Sequence, residues 1–313
     1  MKLDFLIIGA EKSGTTFMHT ILSMHPQIQL PSREINFFLT PNYQNFESTD
    51  LDNLFSNMNN ESIKGIRNPL YLSLPECPLR IYKHYPNSKL IIFLRDPISR
   101  AISAYFHYMR FNLLPLLPLE EGFKKILNNE FNHTCFQKIA QGVIDFGFYY
   151  RHIQRYLEYF DKGNIQIFLN EDIKKDLNGV YRNICKFLDI AEINPPKVNF
   201  IKSRIIRFKS LQGIYSLRRL NLYRKYITKV YNVKLEEKNW PFRSQIFFKD
   251  NKVSKILYYS YNLGDQIVLN RLFNNSKPIL NPILTEELHN IYKDDIDLLE
   301  RFLKRPLDRW HIN

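Results

Sequence analysis

The 313 residues suffice for one large α/β domain or for a domain with a sizeable insertion, and the 44% hydrophobic share is that of an ordinary globular core. A net charge of +13 points to an anionic partner: a nucleotide, a sulfated glycan, nucleic acid or a lipid headgroup. Cys77, Cys135 and Cys185 stand far apart without metal-ligand spacing, and no apolar run reaches spanning length. Composition therefore argues against a zinc-built fold, a disulfide framework and a membrane-spanning chain.

Met1 is followed almost at once by the apolar run Phe5-Leu6-Ile7-Ile8, which leaves no room ahead of it for a signal peptide or anchor. The expectation is a soluble, cytoplasmic protein. The run ends in Gly9, a polar loop Ala10-Glu11-Lys12-Ser13 follows, and Gly14 opens an amphipathic segment headed by Thr15 and Thr16. Buried strand, tight loop and helix start, in that order, build a phosphate cradle. Glycines let the backbone turn so that N–H groups face an anion. Lys12 adds charge, and Ser13, Thr15 and Thr16 add donors at the positive end of the helix dipole.

An NTPase loop places its lysine directly after the second glycine; here Thr15 stands there and the lysine is at position 12. A magnesium nucleoside triphosphate is neutralised by that lysine and the metal together. The displaced lysine suits a less charged transferred group and a leaving phosphate without metal. The stretch resembles the 5′-phosphosulfate loop of sulfotransferases that use 3′-phosphoadenosine 5′-phosphosulfate (PAPS). On residue types alone, a strand–turn–helix with an incidental lysine stays open.

Residues 14–24 read as a helix with Phe17, Ile21 and Met24 on one face, stopped at His25-Pro26, where His25 reads as a cap rather than a base. A short strand, Gln27 to Leu30, leads to Pro31-Ser32-Arg33-Glu34-Ile35-Asn36-Phe37-Phe38. Aromatics here would wall a pocket, and a carboxylate held against them is a candidate base. A surface Arg33–Glu34 pair at a helix start fits the same residues. The segment is similar to the glutamate loop of glycan-type (heparan sulfate) and bacterial PAPS sulfotransferases, and the resemblance makes Glu34 the general base. Residues 64–72 resemble that family's Glu-Lys-Ser-Pro-x-Tyr turn, with Arg67 on the lysine that faces sulfonate and acceptor, Asn68 on the serine and Ile66 on the glutamate. A solvated basic loop is the other reading of this stretch.

After Lys89, Leu90 to Leu94 is a fully apolar strand of the kind a parallel sheet buries, ending in Arg95-Asp96-Pro97 and a helix that carries Ser99 and Ser103. This resembles the family's 3′-phosphate motif, whose ligands fall on Arg95 and Ser103. Residues 111–135 are a loop and helix of little information, and His107 and His133 read as structural. Asp145 to Tyr150 leads into a helix, a strand spans Ile165 to Leu169, and a helix runs over 177–188. Asn170 takes the place of a family tyrosine that touches adenine in some relatives, while Glu171 and Asp172 read as helix-start carboxylates.

Residues 202–230 are strongly basic. Ile206 to Gln212 resembles a family loop that closes over the cofactor phosphates, which makes Arg207 and Lys209 candidate ligands beside the reading of a solvated face. The rest of 204–230 could line an acceptor groove, make a peripheral contact with anionic lipid, or pack as core with a wet face. Residues 213–283 are expected to form a helical or irregular cap, and a capped helix from Thr285 closes the chain.

The expectation is a single domain over 1–313: an α/β three-layer sandwich with a central parallel sheet, a P-loop-like sulfotransferase fold with a helical cap near the C-terminus. The resemblance implies sulfonate transfer from PAPS to a hydroxyl or amine of a saccharide or glycolipid acceptor, without metal and without a nucleic-acid partner. Glu34, Lys12 and Arg67 would be catalytic; Lys12, Ser13, Gly14, Thr15, Thr16, Arg95, Ser103, Arg207 and Lys209 would bind the donor. A P-loop kinase using ATP and a non-catalytic anion or nucleic-acid binder are the alternatives.

Overall fold

The computed structural model describes residues 3–40, 43, 55, 62–110, 113–196 and 279–311. Its contacts form two compact units, one drawn from Met1–Arg100, Phe146–Ser203 and Tyr292–Asn313, the other from Ala101–Asp145 and Arg204–Ile291. Of the expected cap, residues 213–278 lie outside the described residues.

The first unit is built on a parallel sheet. Its strands are β1 (Phe5–Gly9), β2 (Ile28–Gln29), β3 (Ile63–Arg67), β4 (Lys89–Leu94) and β5 (Ile165–Leu169), in the spatial order β2-β3-β1-β4-β5. Phe5 lies opposite Gly65 on one side and Lys89 on the other, and β4 pairs with β5 from Leu90↔Ile165 to Leu94↔Leu169. Continuous apolar runs suit such a sheet because both faces are covered. Phe5, Ile7, Ile91, Phe93 and Phe168 share one buried cluster with Met18, Ile21 and Leu22 of α1 (Thr15–Leu22). Leu6, Ile8, Leu90, Ile92 and Leu94 alternate with them along the strands and are equally buried. Each such side chain contributes about 1.5–3 kcal/mol on leaving water.

Residues 63–67 are a strand, not the loop read from the sequence. The pattern hides it: Ile63 and Lys64 are only half-buried, and Gly65 lowers strand propensity. Gly65 is there for space, since a Cβ would stand 2.3 Å from Cζ of Phe5.

In chain order the helices continue with α2 (Cys77–His84), α3 (Pro97–Arg110), α4 (Leu119–Leu127), α5 (Gln137–Asp145), α6 (Tyr149–Leu157), α7 (Asn170–Lys175), α8 (Leu177–Leu188) and α9 (Pro282–Leu303). Asp96 caps α3, its carboxylate accepting from the N–H of Ser99 at 2.9 Å and of Ile98 at 3.3 Å. Asp176 caps α8 through the N–H of Gly179 at 2.9 Å, and a left-handed Asp189 ends it. Asp295 caps α6 from another helix, accepting from the N–H groups of Tyr150 and Arg151 at 3.0 and 2.9 Å. Within the second unit, the Tyr105 hydroxyl donates to the Leu117 carbonyl at 2.9 Å, and the same oxygen would stand 1.9 Å from a Cβ on Gly122. Among the described residues no helix is long and apolar enough to cross a membrane.

Gly65→Ala is expected to destabilise the protein by about 1–3 kcal/mol, the usual cost of overpacking a core. Shortening the opposing ring with Phe5→Leu in the same chain should recover part of that loss. Denaturant midpoints of the two single variants and the double variant measure it, and an additive double variant would rule out the contact as the cause.

Candidate active site

β1 sits between β3 and β4, so the chain leaves the sheet in different directions on either side of it, and the carboxyl ends of these strands form the place where open α/β sheets bind ligands. Gly9 ends β1 there. The Ala10 N–H donates to the Phe93 carbonyl at 2.7 Å, and the Ser13 N–H closes a turn onto the Ala10 carbonyl at 3.2 Å. Lys12 and Gly14 both take left-handed backbone conformations, with φ of 64° and 97°. Glycine adopts this freely, whereas at Lys12 it costs about 1–2 kcal/mol, a strain that a loop shaped for a ligand retains. Two side chains tie the loop from outside. Arg95 Nη1 donates to the Lys12 carbonyl at 3.4 Å, and Asn170 Nδ2 donates to the Ser13 carbonyl at 3.2 Å.

Glu34 is brought to this loop by a buried ion pair. Its Oε1 accepts from Arg67 Nη1 at 3.0 Å, both side chains are almost wholly buried, and the same Nη1 donates to Thr16 Oγ1 at 3.0 Å. Arg33, the neighbour that could have paired with Glu34 at the surface, is exposed, and Arg67 ends β3 rather than decorating a solvated loop. The segment around Glu34 is fastened by its backbone. The Ile35 N–H donates to the Arg67 carbonyl at 3.0 Å, Asn68 Nδ2 donates to the Ile35 carbonyl at 3.0 Å, and the Tyr71 hydroxyl donates to the same carbonyl. Phe37 and Phe38 form a buried 3-10 turn, with Phe38 packed edge-on against Tyr71 at 5.5 Å and its carbonyl held by Arg80 at 2.8 Å. The aromatic pair thus anchors the glutamate segment.

Further residues that the sequence did not single out complete the frame. His19, on the buried face of α1, makes a 2.8 Å hydrogen bond through Nε2 to the Pro31 carbonyl, at the start of the glutamate segment. Burial first, and then the Arg67 charge, hold its pKa below the usual 6.5, against the opposing effects of the Pro31 bond and Glu34. The imidazole is therefore neutral at pH 7 and donates to Pro31. Tyr149, fully buried, donates to the Arg95 carbonyl at 2.7 Å, and burial raises its pKa so that it stays protonated. Spacing in the sequence puts Phe17, Ile21 and Met24 on the inner face; the structure instead buries Met18, His19, Ile21 and Leu22 and leaves Met24 exposed, so no apolar spacing marks His19.

Lys12, Ser13, Gly14, Thr15, Thr16 and Arg95 gather at the loop, and Glu34 and Arg67 join them through Thr16. Ser103 lies on α3 in the second unit, its hydroxyl buried with no hydrogen-bond partner among the described residues. Arg207, Lys209 and the rest of the basic stretch 204–230 lie outside the described residues. His25 is a clasp: Nε2 bonds the Ala191 carbonyl at 3.0 Å and Nδ1 accepts from the Gln27 N–H.

Comparison with known proteins decides the family. The model of the sulfotransferase domain matches residues 2–229. The chain belongs to the sulfotransferase family. Its relatives include the bifunctional heparan sulfate N-deacetylase/N-sulfotransferase 1 of Caenorhabditis briggsae, 28% identical over 199 residues, which are 60% of this chain and 23% of that protein. The mouse heparan sulfate glucosamine 3-O-sulfotransferase 5 is 27% identical over 68% of this chain and 59% of its own length. This sulfotransferase chain thus spans less than two thirds of those relatives. The crystal structure of a sulfotransferase from Alicyclobacillus acidocaldarius superposes with a TM-score of 0.62 at 20% identity over 99% of both chains, a likeness of fold.

Because the folded His19 has a depressed pKa, the unfolded chain takes up that proton first as pH falls, so its contribution is full above about pH 6.5 and is lost below it. His19→Gln, which keeps an amide donor for Pro31, is expected to flatten the fall of the thermal midpoint between about pH 7 and 5. A residual slope from His84, also held down by burial, should persist. An unchanged slope would show that His19 is not titrating in the fold.

Proposed function

We propose that this sulfotransferase moves a sulfonate group from PAPS to a hydroxyl or amine of an acceptor, with a saccharide or glycolipid as the acceptor. The observation that carries the reading is the single guanidinium of Arg67 bridging Glu34 to Thr16 at the head of the phosphate loop. A candidate base and an anion cradle are joined there by one fixed cation. The names of the heparan sulfate relatives support a saccharide, and the same analogy leaves no role for nucleic acid.

In this reading the acceptor oxygen or nitrogen attacks sulfur in line, and the bond between sulfur and the bridging oxygen of the 5′-phosphosulfate breaks. Glu34 takes the acceptor proton. The electron pair stays on the former bridging oxygen of adenosine 3′,5′-bisphosphate, where Lys12, the loop N–H groups and the Thr15 and Thr16 hydroxyls offset the charge. Arg67, which keeps its proton at all working pH values, acts on the sulfonate oxygens by charge alone and holds Glu34 in register. Arg95 and Ser103 anchor the 3′-phosphate, with Arg207 and Lys209 as further phosphate ligands. No metal is needed, because these cations do the neutralising. Cytoplasmic placement, and a peripheral membrane contact through 204–230, complete the proposal.

Titration calorimetry without magnesium tests the donor. Adenosine 3′,5′-bisphosphate is expected to bind, and Arg95→Ala to weaken it; preference for magnesium-ATP would favour a kinase instead. Glu34→Gln should lower turnover by about 10²-fold or more with bisphosphate affinity nearly kept. Full activity in that variant would falsify the base assignment. Arg67→Lys, which keeps the charge and loses the fork, controls for the partner left behind in the core.

A further inference from the structure

We propose that Asn170 is a positioning residue of the phosphate loop, its side-chain amide holding the Ser13 carbonyl outward and so aiming the Gly14 N–H at the donor's 5′-phosphate. The role rests on the donor reading above. Asn170 follows β5 directly and opens α7, and its Nδ2 donates to the Ser13 carbonyl at 3.2 Å. In a planar trans peptide the C=O and the following N–H point in opposite directions. Tying the Ser13 oxygen toward Asn170 therefore turns the Gly14 N–H away from it, to the inner side of the loop, where an anion would be met. The Ser13 N–H is already engaged with Ala10, so the Gly14 amide is the one whose direction this bond controls.

Gly14 and Asn170 fit as a pair. A Cβ on Gly14 would come within 2.9 Å of Asn170 Nδ2, and the φ of 97° disfavours any other residue there. The brace is itself anchored: Asp172, on the same short helix, holds Arg305 in a two-pronged ion pair at 2.5 and 2.7 Å. The contact also accounts for asparagine here. An amide of this length reaches the loop carbonyl.

The test measures two ligands against two variants. Adenosine 3′,5′-bisphosphate carries the 5′-phosphate and adenosine 3′-monophosphate does not. Asn170→Ala, and the near-isosteric Asn170→Leu that keeps volume and adds no charge but removes the donor, are expected to weaken the bisphosphate by about tenfold, with the monophosphate unchanged. Arg95→Ala should weaken both, because both carry the 3′-phosphate. Thermal midpoints confirm that each variant is folded. Equal losses on both ligands in the Asn170 variants would assign Asn170 to the nucleoside or to general stability and overturn the brace, as would no loss on either. If the unsubstituted protein held neither ligand, the donor reading itself would fall, and this role with it.

Discussion

The buried ion pair between Glu34 and Arg67 is the constraint on which the site depends. A charge taken out of water costs several kcal/mol unless it is paired and hydrogen-bonded, and leaving one partner alone in the interior costs about 3–5 kcal/mol. The pair therefore specifies geometry more than it adds stability. Arg67 is fixed by its place at the end of β3, and β3 is fixed by pairing with β1 on one side and β2 on the other. Glu34 must come to it, and the segment that carries Glu34 is bound to the same strand end through Ile35, Asn68 and Tyr71. The guanidinium then reaches past the carboxylate to Thr16, which is exposed at the head of α1. One cation thus sets the distance between the candidate base and the anion loop.

The loop itself follows a complementary rule. Its N–H groups can serve a ligand only if its carbonyls are satisfied elsewhere. Arg95 and Asn170, from the ends of β4 and β5, take the carbonyls of Lys12 and Ser13, while the Phe93 carbonyl takes the Ala10 N–H. The neighbouring strands thus orient the loop from behind, and their parallel register places all three contacts at the same end of the sheet. Tyr149 extends the support by holding the Arg95 backbone, and Asp295 holds the helix that begins at Tyr149. Polar groups with fixed partners convert a short flexible loop into a shaped surface.

Much of this was legible from the residues. Apolar runs with defined ends mark β1, β4 and β5, and β5 and α8 fall on the positions read from the sequence because an apolar strand and an Asp176-capped amphipathic segment leave little freedom. The strand–loop–helix order of residues 5–22 was legible because an apolar run ending in Gly9 and a Gly14 that opens an amphipathic segment fix where the strand stops and the helix begins. β3 was not, since Gly65 and a half-buried lysine mimic a loop, and the reason for that glycine, the ring of Phe5, is distant in sequence. Pairing was also hidden. Glu34 has an arginine beside it in the chain, yet its partner comes from a strand 33 positions on, a choice made by burial and not by proximity along the chain. Asn170 read only as a departure from a resemblance; its contact with Ser13 spans 157 positions and leaves no trace in local pattern.

Arginine at position 67 carries a consequence for the chemistry. A lysine there could lend a proton or withdraw along a flexible stem, but a guanidinium keeps its charge and offers a planar fork. With Nη1 engaged by Glu34 and Thr16 together, the charge cannot follow a moving group without releasing the carboxylate. In the proposed reaction, the freedom to follow developing negative charge would pass to Lys12, which is half-buried at the phosphate loop. The division proposed for that reaction is physical: a fixed arginine orders the candidate base, and a lysine on a strained backbone would meet the leaving phosphate.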